Sequence, residues 1–422
     1  MSARGGTAAG LGVVFALLVV PAILAGQETM LQHGDMTKFH LPQVNQHMKA
    51  PLSWFDYDAT SATTPGHHFF LAYSALLFGY DQVDEDTLLV RFANAGVGLA
   101  FVLLAFFVLA RLGGGAGLAA GLVAPILGSN YVLSSSIWVM TDNGANLWFT
   151  ACLWTLLFRP SSALRAGVFG AAMVLWRQIY LPVAGAFALS ALWARFERGR
   201  LVAGMMGLAV PTLVVGAYAV HWGGLTPGTT QLYNEATLNL SVPLHALALT
   251  GLFACAYAVL LWPMARALDR RQLGMVGACA AAGLVVWLLA PSTFDADAGR
   301  WGSMVWLFAK KSPAVMDRSL ALLPMAVLGA AVLGTMFATS VKDRVFPAEL
   351  VVLLLYFVGY SAQVFAWQRY IESPIVLALG VFVARRADRL PAWGLVGPVA
   401  VGVLFATLCQ LRVWGVLGSV LS

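Results

Sequence analysis

Between residues 34 and 68 the chain collects side chains suited to gripping a polar ligand beside a bilayer. Gly34 to His47 reads GDMTKFHLPQVNQH, then come Trp54, Phe55 and Asp56, and Thr63-Thr64-Pro65-Gly66-His67-His68 closes the run. Carboxylate, imidazole, amide and aromatic groups in one short segment are the inventory for holding a sugar and a phosphate. Asp35 is the first candidate for a general base, because partial desolvation next to a membrane tunes a carboxylate for proton transfer. Taken alone, a loop aspartate is also ordinary solvated surface. His40, Gln43, Asp56, His67 and His68 are candidate ligand-binding groups, and Trp54 either stacks on a sugar ring or anchors the chain at the interface. Leu41, Val44 and Met48 recur at helical spacing, which predicts an amphipathic interfacial helix over part of the segment.

Further along, Asp142 stands in VMTDNGAN. It is the second candidate base, and Asp followed by Asn is equally good chemistry for a helix N-cap. Arg177 in LWRQIYLP and Arg369 in FAWQRYIESP each lie one or two residues from a tryptophan, Trp176 and Trp367. Arginine clamps phosphate with two parallel hydrogen bonds, and beside tryptophan it also serves as a snorkelling anchor. The DADAG stretch at Asp295 lacks the pattern that would make it a calcium loop, so a solvated loop followed by an interfacial helix at Trp301 to Phe308 is expected. Histidines and acids match no metal-ligand spacing, and Cys152, Cys255, Cys279 and Cys409 all fall in apolar runs. The expectation is therefore no metal, no other cofactor and no disulfide framework.

The elements that must position these groups follow from composition. A chain of 422 residues that is 60% apolar and 10% charged has too much apolar surface for one soluble core. A soluble enzyme, a nucleic-acid binder and a disordered scaffold are excluded. The class expected is an all-α polytopic membrane protein, a single integral domain over 1–422 with about 13 transmembrane helices. Apolar runs place them near 10–26, 88–110, 116–136, 144–158, 163–176, 179–194, 201–221, 245–265, 272–290, 320–340, 348–366, 374–384 and 393–412. Residues 67–80 are apolar but short and fit a re-entrant or interfacial helix. One set of alternate loops then gathers Arg111, Arg195, Arg198, Arg270, Arg271 and Arg385 with few acids, which assigns it and the N-terminus to the cytoplasm. The long polar loops, 27–87, 222–244 and 291–319, face outward. The first span is read as retained, although LAG at Leu24 to Gly26 resembles a cleavage site.

Against this plan, the order Asp35, Phe39-His40, Pro42-Gln43, Trp54, Asp56 and Thr63-Thr64-Pro65-Gly66 resembles the first lumenal loop of the dolichyl-phosphate-glucose alpha-1,2-glucosyltransferase family, whose members add the last glucose to the lipid-linked N-glycan precursor. The likeness continues in order through Arg91-Phe92-Ala93-Asn94, Thr141-Asp142, Arg177-Gln178 and Arg369-Tyr370 with Pro374. The family's acidic pair before Phe-His falls on Met36 and Thr37, so Asp35 carries the base only after a one-residue shift. The family's middle-loop acid and histidine are echoed only by Asn234-Glu235-Ala236-Thr237.

The resemblance implies a distant bacterial relative with a GT-C-like helical bundle in the inner membrane and its active site on the periplasmic face. The implied activity is inverting transfer of a glucose-like hexose from a polyprenyl-phosphate sugar donor to a lipid-linked or envelope glycan acceptor. Asp35 or Asp142 would be the base, and His40, Gln43, Trp54, Asp56, His67, His68, Arg177, Gln178, Arg369 and Tyr370 would bind substrate. The absence of a Gly-rich dinucleotide or P-loop motif agrees with a lipid-borne donor. A mannosyl- or aminoarabinosyl-type transferase acting on protein or lipid is the alternative within this class, and a polytopic transporter the alternative outside it.

Overall fold

The computed structural model describes residues 3–28, 30–55, 57–233 and 238–416. Asp56 and the Asn234 to Thr237 stretch lie outside the described residues. The described chain is all-α apart from one antiparallel hairpin of two-residue strands, Ala314–Val315 against Arg318–Ser319.

Six helices are long and apolar enough to cross a membrane: Ala3–Leu24, Leu88–Gly113, Arg198–Trp222, Arg270–Leu289, Leu322–Lys342 and Trp393–Val413. Two bent pairs, Ala116–Gly128 with Asn130–Ile137 and Ser241–Ala256 with Ala258–Arg266, raise the total to eight if each is one span. The chain is thus a multi-pass membrane protein. The remaining predicted crossings are the shorter helices Asp142–Phe158, Ala163–Trp176, Gln178–Trp193, Ala348–Tyr360 and Gln368–Ala384.

Two of the runs read as straight spans are broken. The first bends by 62° at Ser129, whose extended backbone lets Oγ accept from the Tyr131 and Val132 amides at 3.2 and 3.3 Å. Those amides begin a new helix and have no carbonyl a turn earlier to bond, so a serine caps them inside the apolar run. The second bends by 95° at Tyr257.

Backbone contacts divide the chain into two compact units. The first comprises Met1–Phe107, Ala124–Asn234 and Gly402–Ser422. It contains the first long loop, where Leu31–Asp35, a π-helical turn at Met36–His40 and Leu41–Lys49 follow without interruption. Leu41, Val44 and Met48 are all buried, as their spacing requires. Gly66–Leu77 has 12 residues and so a length of about 18 Å, short of the roughly 30 Å hydrocarbon core, in keeping with a re-entrant or interfacial helix. Asn45 fastens the acidic loop that follows: its side-chain amide pairs with the Val83 backbone in both directions, each bond 2.8 Å.

The second unit comprises Val108–Val123 and Glu235–Val401. Its helix Leu322–Lys342 packs on both Ser241–Ala256 and Arg270–Leu289. Small residues bring these backbones together: a Cβ on Gly329 would stand 1.9 Å from the Leu247 carbonyl oxygen, and one on Gly251 2.1 Å from that of Met325. Asp269 and Gln272 form a reciprocal capping box at the start of Arg270–Leu289.

The long loop 291–319 is tied down within this unit. The Trp306 indole donates to the Ala366 carbonyl at 2.7 Å, and Gln368 Oε1 accepts from the Met304 amide at 2.9 Å. Asp295 is bound by Arg300 at 2.9 Å and accepts from the Ala298 amide at 3.0 Å, so DADAG closes on its own arginine. The helix expected at Trp301 to Phe308 runs from Met304 to Lys311, because Ser303 caps it while Trp301 packs edge-on against Trp367.

Candidate active site

Asp142 is the first residue of Asp142–Phe158, and Arg177 follows directly on Ala163–Trp176. The short link between the two helices makes them an antiparallel hairpin, so the start of one meets the end of the other. There an Arg177 Nη1 donates to Asp142 Oδ1, with both side chains buried. Each charge also suits its helix, the carboxylate at an N-terminus and the guanidinium at a C-terminus. The N-cap reading of Asp142 is corrected: Thr141 occupies the cap position, no side chain caps this helix, and the Asp142 carboxylate goes to arginine. Asp142 Oδ2 is buried and has no hydrogen-bond partner within the described protein.

The loop carrying Asp142 is braced from Leu88–Gly113. Asn94 donates to the carbonyls of Ser135 and Trp138 at 2.7 and 3.0 Å, and Arg91 Nε donates to that of Ile137 at 3.3 Å. These carbonyls end Asn130–Ile137 and have no intrahelical donor. Asn143 adds bonds to the Val132 carbonyl and to Ser136 Oγ at 2.9 and 2.8 Å.

Histidines close in from the first loop. Gly66 starts its helix so near the end of Ala163–Trp176 that a Cβ there would be 2.6 Å from the Leu175 carbonyl oxygen. His67 is thereby brought to Trp176, whose Nε1–H donates to His67 Nδ1 at 3.1 Å. Trp176 in turn lies across Gly144, where a Cβ would be 1.8 Å from the same Nε1. His68 Nε2 and His40 Nδ1 share a hydrogen bond of 2.9 Å with the rings stacked. His67 and His68 have no exposed surface, and His67 Nε2 and His68 Nδ1 lack a hydrogen-bond partner among the described residues.

Burial governs the charge of these imidazoles. It drives the His67 pKa from 6.5 to about 3, helped by His40 and opposed by Asp142. His68 is held well below 6.5 by burial and by its imidazole neighbours. His47, enclosed by Tyr57 and Phe69 at ring distances of 4.7 and 4.1 Å, is lowered to about 4 by burial. All three rings are neutral near pH 7.

The other expected site residues are placed as follows. Asp35 ends Leu31–Asp35 half-buried and enters the π turn that leads to His40. Gln43 Oε1 accepts from the Thr60 amide at 2.9 Å while its Nε2 meets His47 Nε2 at 3.2 Å. Gln178 holds backbone too: it accepts from the Thr64 amide at 3.1 Å and donates to the Ala62 and Leu225 carbonyls at 2.6 and 3.1 Å. Both amides therefore shape the first loop. Trp54 is exposed and packs against Phe69 at 4.4 Å.

Arg369 and Tyr370 belong to the second unit, where the Arg369 guanidinium lies over the Trp367 and Tyr370 rings at 4.7 and 4.9 Å and donates to Tyr370 Oη at 2.8 Å. Among the described residues, Glu28, His33 and Glu85 bring potential metal-ligand atoms within 4.8 Å of one another, with His33 Nε2 3.1 Å from Glu85. Sequence spacing missed this trio because Glu85 is remote from the other two in the chain. It also missed the part played by Trp176 and Gly144, whose one legible sign is position: tryptophan directly before Arg177, glycine two residues after Asp142.

No family model, curated protein or solved structure matches the chain.

Proposed function

We propose that this protein is a membrane glycosyltransferase that moves a hexose from a polyprenyl-phosphate sugar to a lipid-linked or envelope glycan, on the outer face of a bacterial inner membrane. In this reading the helices form a GT-C-like bundle in which the five shorter helices also cross, giving about 13 spans with the N-terminus inside. The single observation that carries the reading is the buried Asp142–Arg177 pair, with one carboxylate oxygen held by arginine, the other unbonded, and His67 of the first long loop within electrostatic reach.

Asp142 is the better placed base. Asp35 stays half-buried at a helix end, whereas Asp142 is buried and fixed by Arg177. As the acceptor's hydroxyl oxygen bonds to the anomeric carbon, Asp142 Oδ2 takes its proton. The bond from that carbon to the phosphate oxygen breaks, the electron pair leaves with the polyprenyl phosphate, and the configuration inverts. Arg177 orients the base.

The test uses the full chain in lipid with radiolabelled polyprenyl-phosphate glucose, mannose or aminoarabinose and candidate acceptors. Transfer by wild type, and its loss by at least about a hundredfold in Asp142→Asn, is expected on the usual worth of a general base. Equal rates for Asp142→Asn and wild type, with loss in Asp35→Asn, would return the base to Asp35. Sugar uptake by vesicles without transfer would replace the enzyme by a transporter.

A further inference from the structure

An indole N–H can only donate, so the 3.1 Å bond from Trp176 Nε1 requires His67 Nδ1 to be a bare acceptor. The ring's single proton is then on Nε2. This Nε2–H is a fully buried donor without a partner in the described protein, and Asp142 Oδ2 is a buried acceptor in the same condition. The two belong to one constellation, because Trp176 touches Gly144 of the Asp142 helix, bonds His67, and is followed in the chain by the arginine that holds Asp142. Buried polar atoms left unmatched in this way are costly, typically about 1–3 kcal/mol each, and native proteins keep few of them without a role.

One orphan donor and one orphan acceptor within a single constellation, whose residues also interact electrostatically, are matched by a group that accepts and donates at once. An alcohol does both, whereas an anion meets only the donor and is repelled by the carboxylate. We infer that Trp176 locks His67 in its Nε2–H tautomer, and that His67 Nε2–H with Asp142 Oδ2 forms a slot for one hydroxyl group of a sugar or similar polyol. This deepens the glycosyl-transfer reading and rests on it only in making that hydroxyl the acceptor's. The hydroxyl donates to Oδ2 and accepts from Nε2–H, which leaves one oxygen lone pair to attack. Trp176 is thus a positioning residue: it decides which nitrogen faces the substrate.

The tautomer can be read without any enzyme assay. Full-length protein with 15N-labelled histidine in lipid nanodiscs gives distinct nitrogen signals for the two neutral tautomers and the charged ring, with His67 assigned by His67→Gln. Wild type is expected to show only Nε2–H at pH 7. Trp176→Phe, which keeps an aromatic ring and removes the donor, is expected to show both tautomers while retaining its thermal unfolding transition. A fixed Nδ1–H or a charged ring in wild type, or an unchanged Nε2–H signal in Trp176→Phe, would overturn the lock.

Titration with methyl α-D-glucoside is expected to shift the His67 Nε2 signal, with binding up to about tenfold weaker in Trp176→Phe, the worth of one hydrogen bond. A response to inorganic phosphate but not to glucoside, or to neither, would overturn the slot. Glucoside binding combined with no transfer from any polyprenyl-phosphate donor would support the slot and remove only the reaction.

Discussion

Asp142 opens one helix and Arg177 immediately follows the next, so the hairpin they bracket is closed by a buried ion pair. The second unit repeats the device. Glu349 lies in the first turn of Ala348–Tyr360, and Arg385 follows Gln368–Ala384 and donates to it at 2.6 Å. Glu349 Oε1, like Asp142 Oδ2, has no hydrogen-bond partner among the described residues. An unbonded carboxylate oxygen therefore does not by itself define a site. The Asp142 pair differs in having the Nε2–H of His67 in its constellation.

Removing one member of a buried pair strands the other charge. Arg177→Met is expected to lower unfolding free energy by about 3–5 kcal/mol, while Asp142→Leu combined with Arg177→Met restores most of that loss. Denaturant unfolding in detergent measures both. A single variant as stable as wild type would mean that the pair is hydrated. Both variants should lack transfer activity, which separates catalysis from folding.

Gly144 has no room for a methyl group, since its Cβ would be 1.8 Å from the Trp176 indole nitrogen. Gly144→Ala should cost about 1–3 kcal/mol by overpacking and shift the Trp176 fluorescence. Gly96, also helical, has nothing within 4 Å of its Cβ position. Gly96→Ala is expected to be neutral or stabilising by up to about 1 kcal/mol. Equal effects at the two positions would contradict the packing described.

Acid should loosen the first loop. His47 has its pKa lowered from 6.5 to about 4, so below pH 6.5 the unfolded chain binds a proton that the folded chain refuses. The stabilisation is complete above 6.5 and is lost as pH falls toward 4. Melting temperature is expected to fall across that window and to fall less steeply in His47→Phe, as scanning fluorimetry at graded pH would reveal. An unchanged slope in the variant would show that His47 is not the group responsible.

The pair of hydrogen bonds between the Asn45 side chain and the Val83 backbone is the clamp on the acidic loop. Asn45→Ala should speed hydrogen exchange at residues 81–87 by at least about fivefold, the usual weight of one hydrogen bond, and leave the Leu322–Lys342 helix unaffected. Mass spectrometry of exchanged peptides tests it.

Much of the helical plan was legible, because a membrane demands apolar runs and leaves a helix as the way to satisfy their backbone. The burial of Leu41, Val44 and Met48 followed from spacing alone. The bends at Ser129 and Tyr257 did not, since hydropathy continues across both. Gln43 and Gln178 read as ligand groups but hold peptide groups, because a side-chain amide bonds a backbone as well as a sugar. The bond between His67 and Trp176 joins residues 109 apart, a distance over which periodicity carries no information.

The π turn at Met36–His40 bears on the one-residue shift between Asp35 and its expected place. In that turn the Leu41 amide reaches back five residues to the Met36 carbonyl, where an α-helix would reach four. Such a turn is a helix holding one surplus residue, and each residue of an α-helix turns the chain by about 100°. Excising a single residue there would swing Gln32, His33 and Asp35 by roughly that angle about the rod while Leu41–Lys49 stayed seated. The azimuth of the whole leading segment is thus set by one extra link in the chain.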